Sequence, residues 1–288
     1  MWNAHMPFID YDDRPISIDE GSREVRLPHE TGISMTTREH ENEYKRVSMS
    51  DLMTEANYLN PDVEVIAEIN TPASFETFAE SLNTGHGIIG TTHAEDVRTL
   101  VNRVVEQGLP AYLMQELDLV LFPRHVDGER YVGRMVEFLS ESEYRALERD
   151  GDGEDAGTFR KDGTTIYWNT VATRETDGSF RFRYRHPQMD ADERNLRFRA
   201  FHRLAERTDR TVEAVEDEFH RKHRYVQYLA REGITDFTAL FEFLADLKTN
   251  EAATVERVSR RLADDNRGRG YSPDIDVSGV EGGERGDD

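Results

Sequence analysis

The sequence predicts an α/β protein whose first part is built on a mainly parallel sheet and whose second part is a β-hairpin followed by a helical C-terminal module. Three observations support this prediction. Residues 1–139 alternate short apolar runs with helical patterns, residues 164–171 and 180–184 alternate like the strands of a hairpin, and residues 190–262 repeat apolar side chains at helical spacing. Alternation of strands with helices is typical of parallel sheets, because each parallel connection needs a crossover.

Apolar runs of strand length mark the predicted strands of the first part. They cover residues 16–19, 63–69, 87–92, 117–122 and 130–139, with shorter extended segments at 25–27 and 33–37. Amphipathic stretches between them predict helices at 48–60, 71–82 and 95–107. Ser48 or Ser50 can cap the first of these helices, and Pro72 falls in the first turn of the second.

The composition changes at residues 150–157, where Asp, Gly and Glu crowd together without an apolar side chain large enough to anchor a core. We expect four regions: an α/β domain at 1–139, an acidic linker with the hairpin at 140–189, a helical module at 190–264 and a disordered acidic tail at 265–288. Helices of the module are predicted at 190–207, 212–231, 236–247 and 252–262.

The charge balance excludes several classes of protein. The 288 residues carry 36 Lys plus Arg against 58 Asp plus Glu, a formal net charge of −22, which argues against binding of nucleic acid. No cysteine is present, so a disulfide scaffold is impossible. No apolar run approaches the roughly 20 residues that cross a bilayer, and the first ten residues lack the pattern of a secretory signal, so we expect a cytoplasmic protein. Lysine occurs only at positions 45, 161, 222 and 248, which favours a halophilic source, although an ordinary acidic protein also fits these counts.

Acidic residues and a histidine come at the ends of three predicted strands. Asp19 and Glu20 end the first, Glu68 ends the apolar run that begins at Val63, and His93 follows the third. Because the carboxyl ends of parallel strands meet at the edge where α/β folds bind ligands, we expect these side chains to form one rim. Such a rim can order Mg²⁺ through carboxylates and waters and direct a water toward a phosphate. Each residue alone also fits a solvated strand end or a structural histidine.

Three blocks of sequence resemble the secretion ATPases of type II and type IV secretion systems, including the pilus and archaellum assembly motors, in a haloarchaeal form. One block is similar to the family's acidic box, one to its Walker B strand and one to its histidine box. The blocks are Arg14-Pro15-Ile16-Ser17-Ile18-Asp19-Glu20 with Glu24, Asn60-Pro61-Asp62 through Glu68, and Asn83-Thr84-Gly85-His86 with Thr91-Thr92-His93-Ala94. The resemblance implies a RecA-like P-loop NTPase core that works with ATP and Mg²⁺.

The resemblance also implies roles for single residues. Glu68 would hold Mg²⁺ through a water network or polarise the attacking water, while Asp19, Glu20 and Glu24 would flank the γ-phosphate. His93 would couple the nucleotide to the subunit interface.

Further residues are candidates for cofactor binding by the same resemblance. Arg38 and Arg46 would reach a neighbouring subunit's nucleotide, although a surface ion pair explains each of them equally well. Thr84, Gly85 and His86 belong to the histidine box, and His86 alone also fits a plain surface residue.

The sequence contains no Gly-x-x-x-x-Gly-Lys-[Ser/Thr] motif, the loop that cradles phosphates in P-loop NTPases. In the family this loop directly precedes a segment like residues 3–9, so we expect the chain to begin inside the helix that the loop opens. The run Ala67-Glu68-Ile69-Asn70 also departs from the family's Gly-Glu followed by an arginine. The resemblance therefore implies an incomplete RecA-like core, the C-terminal portion of a motor, with weak or absent binding of ATP by this chain alone.

Two functions remain open from the sequence. The chain is expected to be a subunit or truncated remnant of a secretion ATPase that couples ATP hydrolysis to pilus or archaellum assembly or to protein secretion, as a hexamer held by a platform protein at the inner face of the membrane. The alternative is a non-catalytic interaction module that joins intact ATPase subunits. A metal hydrolase is a distant third, since a helical His-x-x-x-His pair is missing. The arginine-rich stretch 194–210 fits either a docking face or a solvated helix face.

Overall fold

The computed structural model of the chain describes residues 2–149, 156–182 and 198–269. The strands are β1 (Pro15–Asp19), β2 (Ile33–Thr36), β3 (Val63–Ile66), β4 (Gly87–Gly90), β5 (Val120–Val126), β6 (Glu129–Leu139), β7 (Ala156–Lys161), β8 (Thr164–Arg174) and β9 (Phe180–Phe182). The α-helices are α1 (Trp2–His5), α2 (Met49–Tyr58), α3 (Pro72–Ser81), α4 (Val97–Glu106), α5 (Glu141–Arg149), α6 (Arg199–Arg207), α7 (Val212–Arg231), α8 (Phe237–Thr249) and α9 (Glu251–Arg269). The predicted α/β class is confirmed.

The first four strands form a parallel sheet in the order β2-β1-β3-β4. Ile18 lies opposite both Met35 of β2 and Ile66 of β3. Alternate side chains of the strands enter two different apolar clusters, because successive residues of a strand point to opposite faces. Ile18 and Ile66 pack in the larger cluster with residues of α2, α3 and α4, whereas Val65 packs in a second cluster with Met6. Both faces are covered, as parallel sheets require.

Side-chain caps fix where the predicted helices begin. Ser48 accepts a hydrogen bond from the N–H of Asp51 at the start of α2, and Thr71 caps α3 in the same way. Asp96 caps α4. The predicted extended segment at 25–27 forms no strand, because the Val25 N–H is bonded to a carboxylate instead of a neighbouring strand.

The remaining strands form an antiparallel sheet in the order β5-β6-β8-β7, with β9 paired to β8. The predicted hairpin is confirmed by the pairing of Ala172 with Phe182. Strands β5 and β6 were predicted within the mainly parallel first part, but they belong to this antiparallel sheet, because Val136 of β6 pairs with Thr170 of β8. Phe138 of β6 packs in the larger apolar cluster of the parallel sheet. The predicted boundary lies largely at residues 150–155, outside the described residues.

The C-terminal helices return to the beginning of the chain. The His29 ring meets the Phe241 ring of α8 edge-on with centroids 4.7 Å apart, and Lys248 Nζ lies 2.8 Å from Asp10 Oδ2. The four predicted helices are present, and α9 continues through Arg269, into the predicted tail; residues 190–197 and 270–288 lie outside the described residues. Within the described ranges, every helix is too short or too polar to span a membrane.

Candidate functional site

Glu68 and His93 meet at the carboxyl edge of the parallel sheet. Glu68 follows the end of β3 by two residues and His93 follows the end of β4 by three. His93 Nε2 lies 2.5 Å from Glu68 Oε1. The Glu68 side chain is 32% exposed and that of His93 is 78% exposed, so the pair stands at an open edge where a substrate could approach. Such exposed pairs contribute little to stability.

The backbone around Glu68 is bonded to the residues that follow β4. The Ile69 N–H donates to the Thr91 carbonyl at 2.8 Å. The Thr91 hydroxyl donates to the Ala67 carbonyl at 2.5 Å, and the Thr92 hydroxyl donates to the Ile69 carbonyl at 2.9 Å. These three hydrogen bonds connect the segments that follow β3 and β4, beyond the point where the regular pairing of the two strands ends.

Asp19 ends β1 at the same edge and is fully buried. Its Oδ1 accepts hydrogen bonds from the N–H groups of Glu24 and Val25, at 2.9 and 3.0 Å. Its Oδ2 is buried without a hydrogen-bond partner among the described residues. One oxygen of Asp19 thus shapes the loop after β1, and the other is free to accept a bond. The neighbouring strand is close, because the Ala67 N–H donates to the Ile18 carbonyl at 2.9 Å.

Glu20 and Glu24 lie in the loop that Asp19 shapes, and both are exposed. The N–H of Gly21 donates to the Thr37 hydroxyl at 3.0 Å, which ties this loop to the end of β2. The acidic residues expected from the first block therefore belong to the same edge as Glu68, with Asp19 buried and the two glutamates in solvent.

Arg38 and Arg46 lie on the exposed connection from β2 to α2 and make local contacts. Arg38 Nε donates to the Lys45 carbonyl at 2.7 Å. Arg46 Nε lies 3.5 Å from Glu39 Oε2. Arg46 therefore makes the surface ion pair that the sequence left open, whereas Arg38 bonds to a main-chain carbonyl. No contact of the described residues brings either arginine to Glu68.

Thr84, Gly85 and His86 lie at the opposite edge of the sheet, because they precede β4 whereas His93 follows it. The Thr84 hydroxyl donates to the Ser81 carbonyl at 2.6 Å and meets His86 Nδ1 at 2.9 Å. Gly85 has a φ of 90°, which favours glycine in this turn. The structure therefore separates these three residues from Glu68 and His93.

Glu68 at this edge is chemically suited to Mg²⁺ held through water. In the described part of the chain, no group of three or more His, Asp or Glu side chains is placed to hold a metal ion. Glu68 is partly exposed and can accept bonds from metal-bound waters, which is how Mg²⁺ is often retained in proteins.

Two buried glutamates were not predicted as special residues. Burial raises the pKa of Glu64 on β3 to about 7, with the Ser81 hydroxyl opposing the rise. Burial also raises the pKa of Glu137 on β6 to about 7, although bonds from Asn169 and from the first turn of α6 favour its charged form. A glutamate inside an apolar strand run is the signal that could have identified both.

The described part of the arginine-rich stretch, residues 198–210, docks within the molecule. Arg199, Arg203 and Arg207 recur every fourth residue and so share one face of α6. Arg203 Nη1 lies 2.7 Å from Asp118 Oδ1, and its Nη2 donates to the Gln115 carbonyl. Arg199 Nε lies 2.8 Å from Glu143 Oε1, and Arg207 Nη1 lies 2.9 Å from Asp118 Oδ2. We call these three residues the arginine row.

Comparison with known proteins places the chain among secretion-system proteins. Residues 2–215 match the family model described as type II/IV secretion system protein. The chain is 30% identical over 151 residues to the uncharacterized protein MJ0900 of Methanocaldococcus jannaschii, a match that covers 52% of this chain and 27% of the relative. It thus spans about a quarter of that relative's length.

Solved structures similar to the chain include two ATPases. The VirB11 ATPase of the Brucella suis type IV secretion system, in complex with sulphate, is 20% identical, with a TM-score of 0.38 and coverage of 46% of this chain and 44% of that one. The Legionella pneumophila ATPase DotB is 14% identical, with a TM-score of 0.36 and coverage of 49% and 41%. On the strength of the family model, which matches well over half of its residues, the chain belongs to the type II/IV secretion system protein family.

Proposed function

We propose that this chain supplies the Walker B and histidine-box part of a secretion ATPase, which couples ATP hydrolysis to pilus or archaellum assembly or to protein secretion. The observation that carries the proposal is the 2.5 Å contact between Glu68 and His93 at the carboxyl edge of the parallel sheet. Family membership supports the general kind of function.

The chemistry follows from how exposed each acidic group is. Glu68 is the accessible carboxylate and accepts a proton or a hydrogen bond from the attacking water. His93 holds one oxygen of Glu68 and orients the other. Asp19 fixes the loop that carries Glu20 and Glu24 beside the γ-phosphate. Mg²⁺, when bound with ATP, would neutralise phosphate charge, and Glu68 would hold its waters.

The phosphate cradle is the part that the 288 residues do not contain, because the sequence has no Gly-x-x-x-x-Gly-Lys-[Ser/Thr] motif. In this proposal the cradle comes from polypeptide outside this sequence, and the chain alone binds ATP weakly. The assembled motor is a hexamer at the cytoplasmic face of the membrane, held there by a platform protein, and its source is a halophilic archaeon.

A nucleotide titration in high salt tests this proposal. The chain alone should bind ATP weakly and should not turn it over. An extended protein, in which a P-loop segment is joined to the start of this chain, should hydrolyse ATP. Glu68→Gln should abolish that hydrolysis, while Glu76→Gln, a change at an exposed position of α3, should preserve it. Hydrolysis that survives Glu68→Gln would overturn the assignment of Glu68.

The alternative is a non-catalytic module that joins intact ATPase subunits. The run Ala67-Glu68-Ile69-Asn70 favours it, because the family's arginine is replaced by Asn70. This module would co-purify with intact subunits, and Glu68→Gln would change neither that association nor the ATPase rate of the complex.

A further inference from the structure

We infer that Thr91 and Thr92 are positioning residues, whose hydroxyl groups hold the main chain of Glu68 so that its carboxylate meets His93. The purpose of this positioning rests on the proposed function. The hydrogen bonds themselves are made by the chain without nucleotide. No role was assigned to either hydroxyl from the sequence.

The two hydroxyls grip the residues on both sides of Glu68. Thr91 Oγ1 donates to the carbonyl of Ala67, the residue before Glu68, at 2.5 Å. Thr92 Oγ1 donates to the carbonyl of Ile69, the residue after it, at 2.9 Å. The strand ladder between β3 and β4 ends with Ile66 opposite Gly90. Beyond that point three main-chain bonds remain, from the Ile69 N–H to the Thr91 carbonyl, from the Thr91 N–H to the Ile66 carbonyl and from the Ala67 N–H to the Ile18 carbonyl. The two hydroxyls add side-chain bonds on either side of Glu68.

The pair needs this support because it is exposed. An ion pair in solvent gains little energy and cannot hold two side chains in one geometry by itself. The main chains of Glu68 and His93 must therefore be fixed by other contacts. Thr91 and Thr92 directly precede His93, so one pair of bonds sets the positions of both partners. A carboxylate that acts on water needs such placement, because small displacements reduce catalysis strongly.

The packing beneath the segment agrees with this role. Ile69 is 3% exposed. A Cβ atom added to Gly90 would lie 2.8 Å from Ile69 Cδ1, so the end of β4 leaves room for this side chain and no more. The buried Ile69 side chain thus anchors the segment that carries Glu68, and the two threonine hydroxyls bond this segment to the residues after β4.

The test uses the full chain without nucleotide. Histidine-selective isotope labelling gives one NMR signal for each of the ten histidines, and His93→Ala identifies that of residue 93. Glu68→Gln should move the His93 signal at constant pH and salt. Thr91→Val and Thr92→Val, which replace the hydroxyl by a methyl group of similar size, should each move it in the same direction by at least half as far. Thr91→Ser and Thr92→Ser should restore the signal.

Folding is checked separately by the melting temperature, which the valine variants should change little. The inference would be overturned if the His93 signal stays at the wild-type position in both valine variants although Glu68→Gln moves it. An unmoved signal in Glu68→Gln would overturn it too, because the contact itself would then be absent. Neither result depends on ATP binding or hydrolysis, so a failure here is distinguishable from a failure of the proposed function.

Discussion

The Glu137 carboxylate accepts a hydrogen bond from the main-chain N–H of Arg199 at 2.8 Å. Arg199 is the first residue of α6, so a side chain of β6 caps a helix that lies 62 residues further along the sequence. Phe198, at the capping position, makes no such bond with its own side chain. The antiparallel sheet therefore supplies the cap that the local sequence lacks, and α6 depends on the sheet for its start.

The free energy of unfolding should fall as the pH rises from 4.5 to about 7. Burial raises the pKa of Glu64 and of Glu137 from 4.5 to about 7, so the folded state binds more protons than the unfolded state in this window. Each rise corresponds to at most on the order of 3 kcal/mol, lost as the pH increases. Denaturant titrations across this pH window should show that Glu64→Gln loses less free energy of unfolding than the wild type. The free energy of Glu76→Gln should change with pH as it does in the wild type. An unchanged slope in Glu64→Gln would contradict a buried, protonated Glu64.

Arg203→Met should weaken the docking of α6. The Arg203 side chain is 13% exposed and binds both Asp118 and the Gln115 carbonyl. Its removal takes a bond from each of these groups, and Arg207 remains paired with Asp118. We expect a loss of about 2 kcal/mol in the free energy of unfolding, with faster hydrogen exchange in α6. Arg260→Met is the control, since its exposed pair with Glu256 should contribute less than about 0.5 kcal/mol. Equal effects of both changes would rule out the arginine row as a docking contact.

Phe138→Ala should destabilise both sheets together. Phe138 lies on the antiparallel sheet, is fully buried, and packs in the cluster that contains Ile18 and Ile66 of the parallel sheet. Removal of a buried phenyl ring costs about 3 to 5 kcal/mol. Tyr44→Ala, at a side chain that is 99% exposed, should change the stability little. Two separate unfolding transitions in Phe138→Ala, with only one of them shifted, would mean that the sheets do not share a core.

Asp19→Asn should show which effects of Asp19 come from its hydrogen bonds to the loop and which come from its negative charge. The amide oxygen of asparagine can still accept the bonds from Glu24 and Val25, so the loop after β1 should keep its protection from hydrogen exchange. Asp19→Ala removes the acceptor and should raise the exchange rates of these two amides by about tenfold, the equivalent of one lost hydrogen bond. In the extended, P-loop-bearing protein, Asp19→Asn should lower ATP hydrolysis. Rapid exchange of both amides in Asp19→Asn would indicate that the charge, and not the acceptor geometry, holds the loop.

Local signals in the sequence were sufficient for the parallel sheet. The apolar runs that form β1, β3 and β4 are short, and capping residues such as Thr71 and Asp96 begin the helices that follow β3 and β4. Both the strands and these helices could therefore be predicted. The shared edge of Asp19, Glu68 and His93 followed from parallel pairing alone.

Pairings between distant residues could not be predicted in this way. Nothing near Val136 indicates that it pairs with Thr170, and nothing near Phe198 indicates that Glu137 caps its helix. The partner of Arg38 likewise could not be predicted, because a local carbonyl and a neighbouring subunit can both attract its guanidinium group. Such choices depend on which surfaces the fold brings together.

The return of α8 to the start of the chain delays the completion of the fold during translation. Lys248 and Asp10 are 238 residues apart, and Phe237 packs in the same cluster as Met6. A ribosome adds about 5 to 20 residues per second, so the apolar side chains of the first segment wait for tens of seconds before their covering helix exists. Until that helix exists, these apolar side chains are uncovered and can associate with other chains.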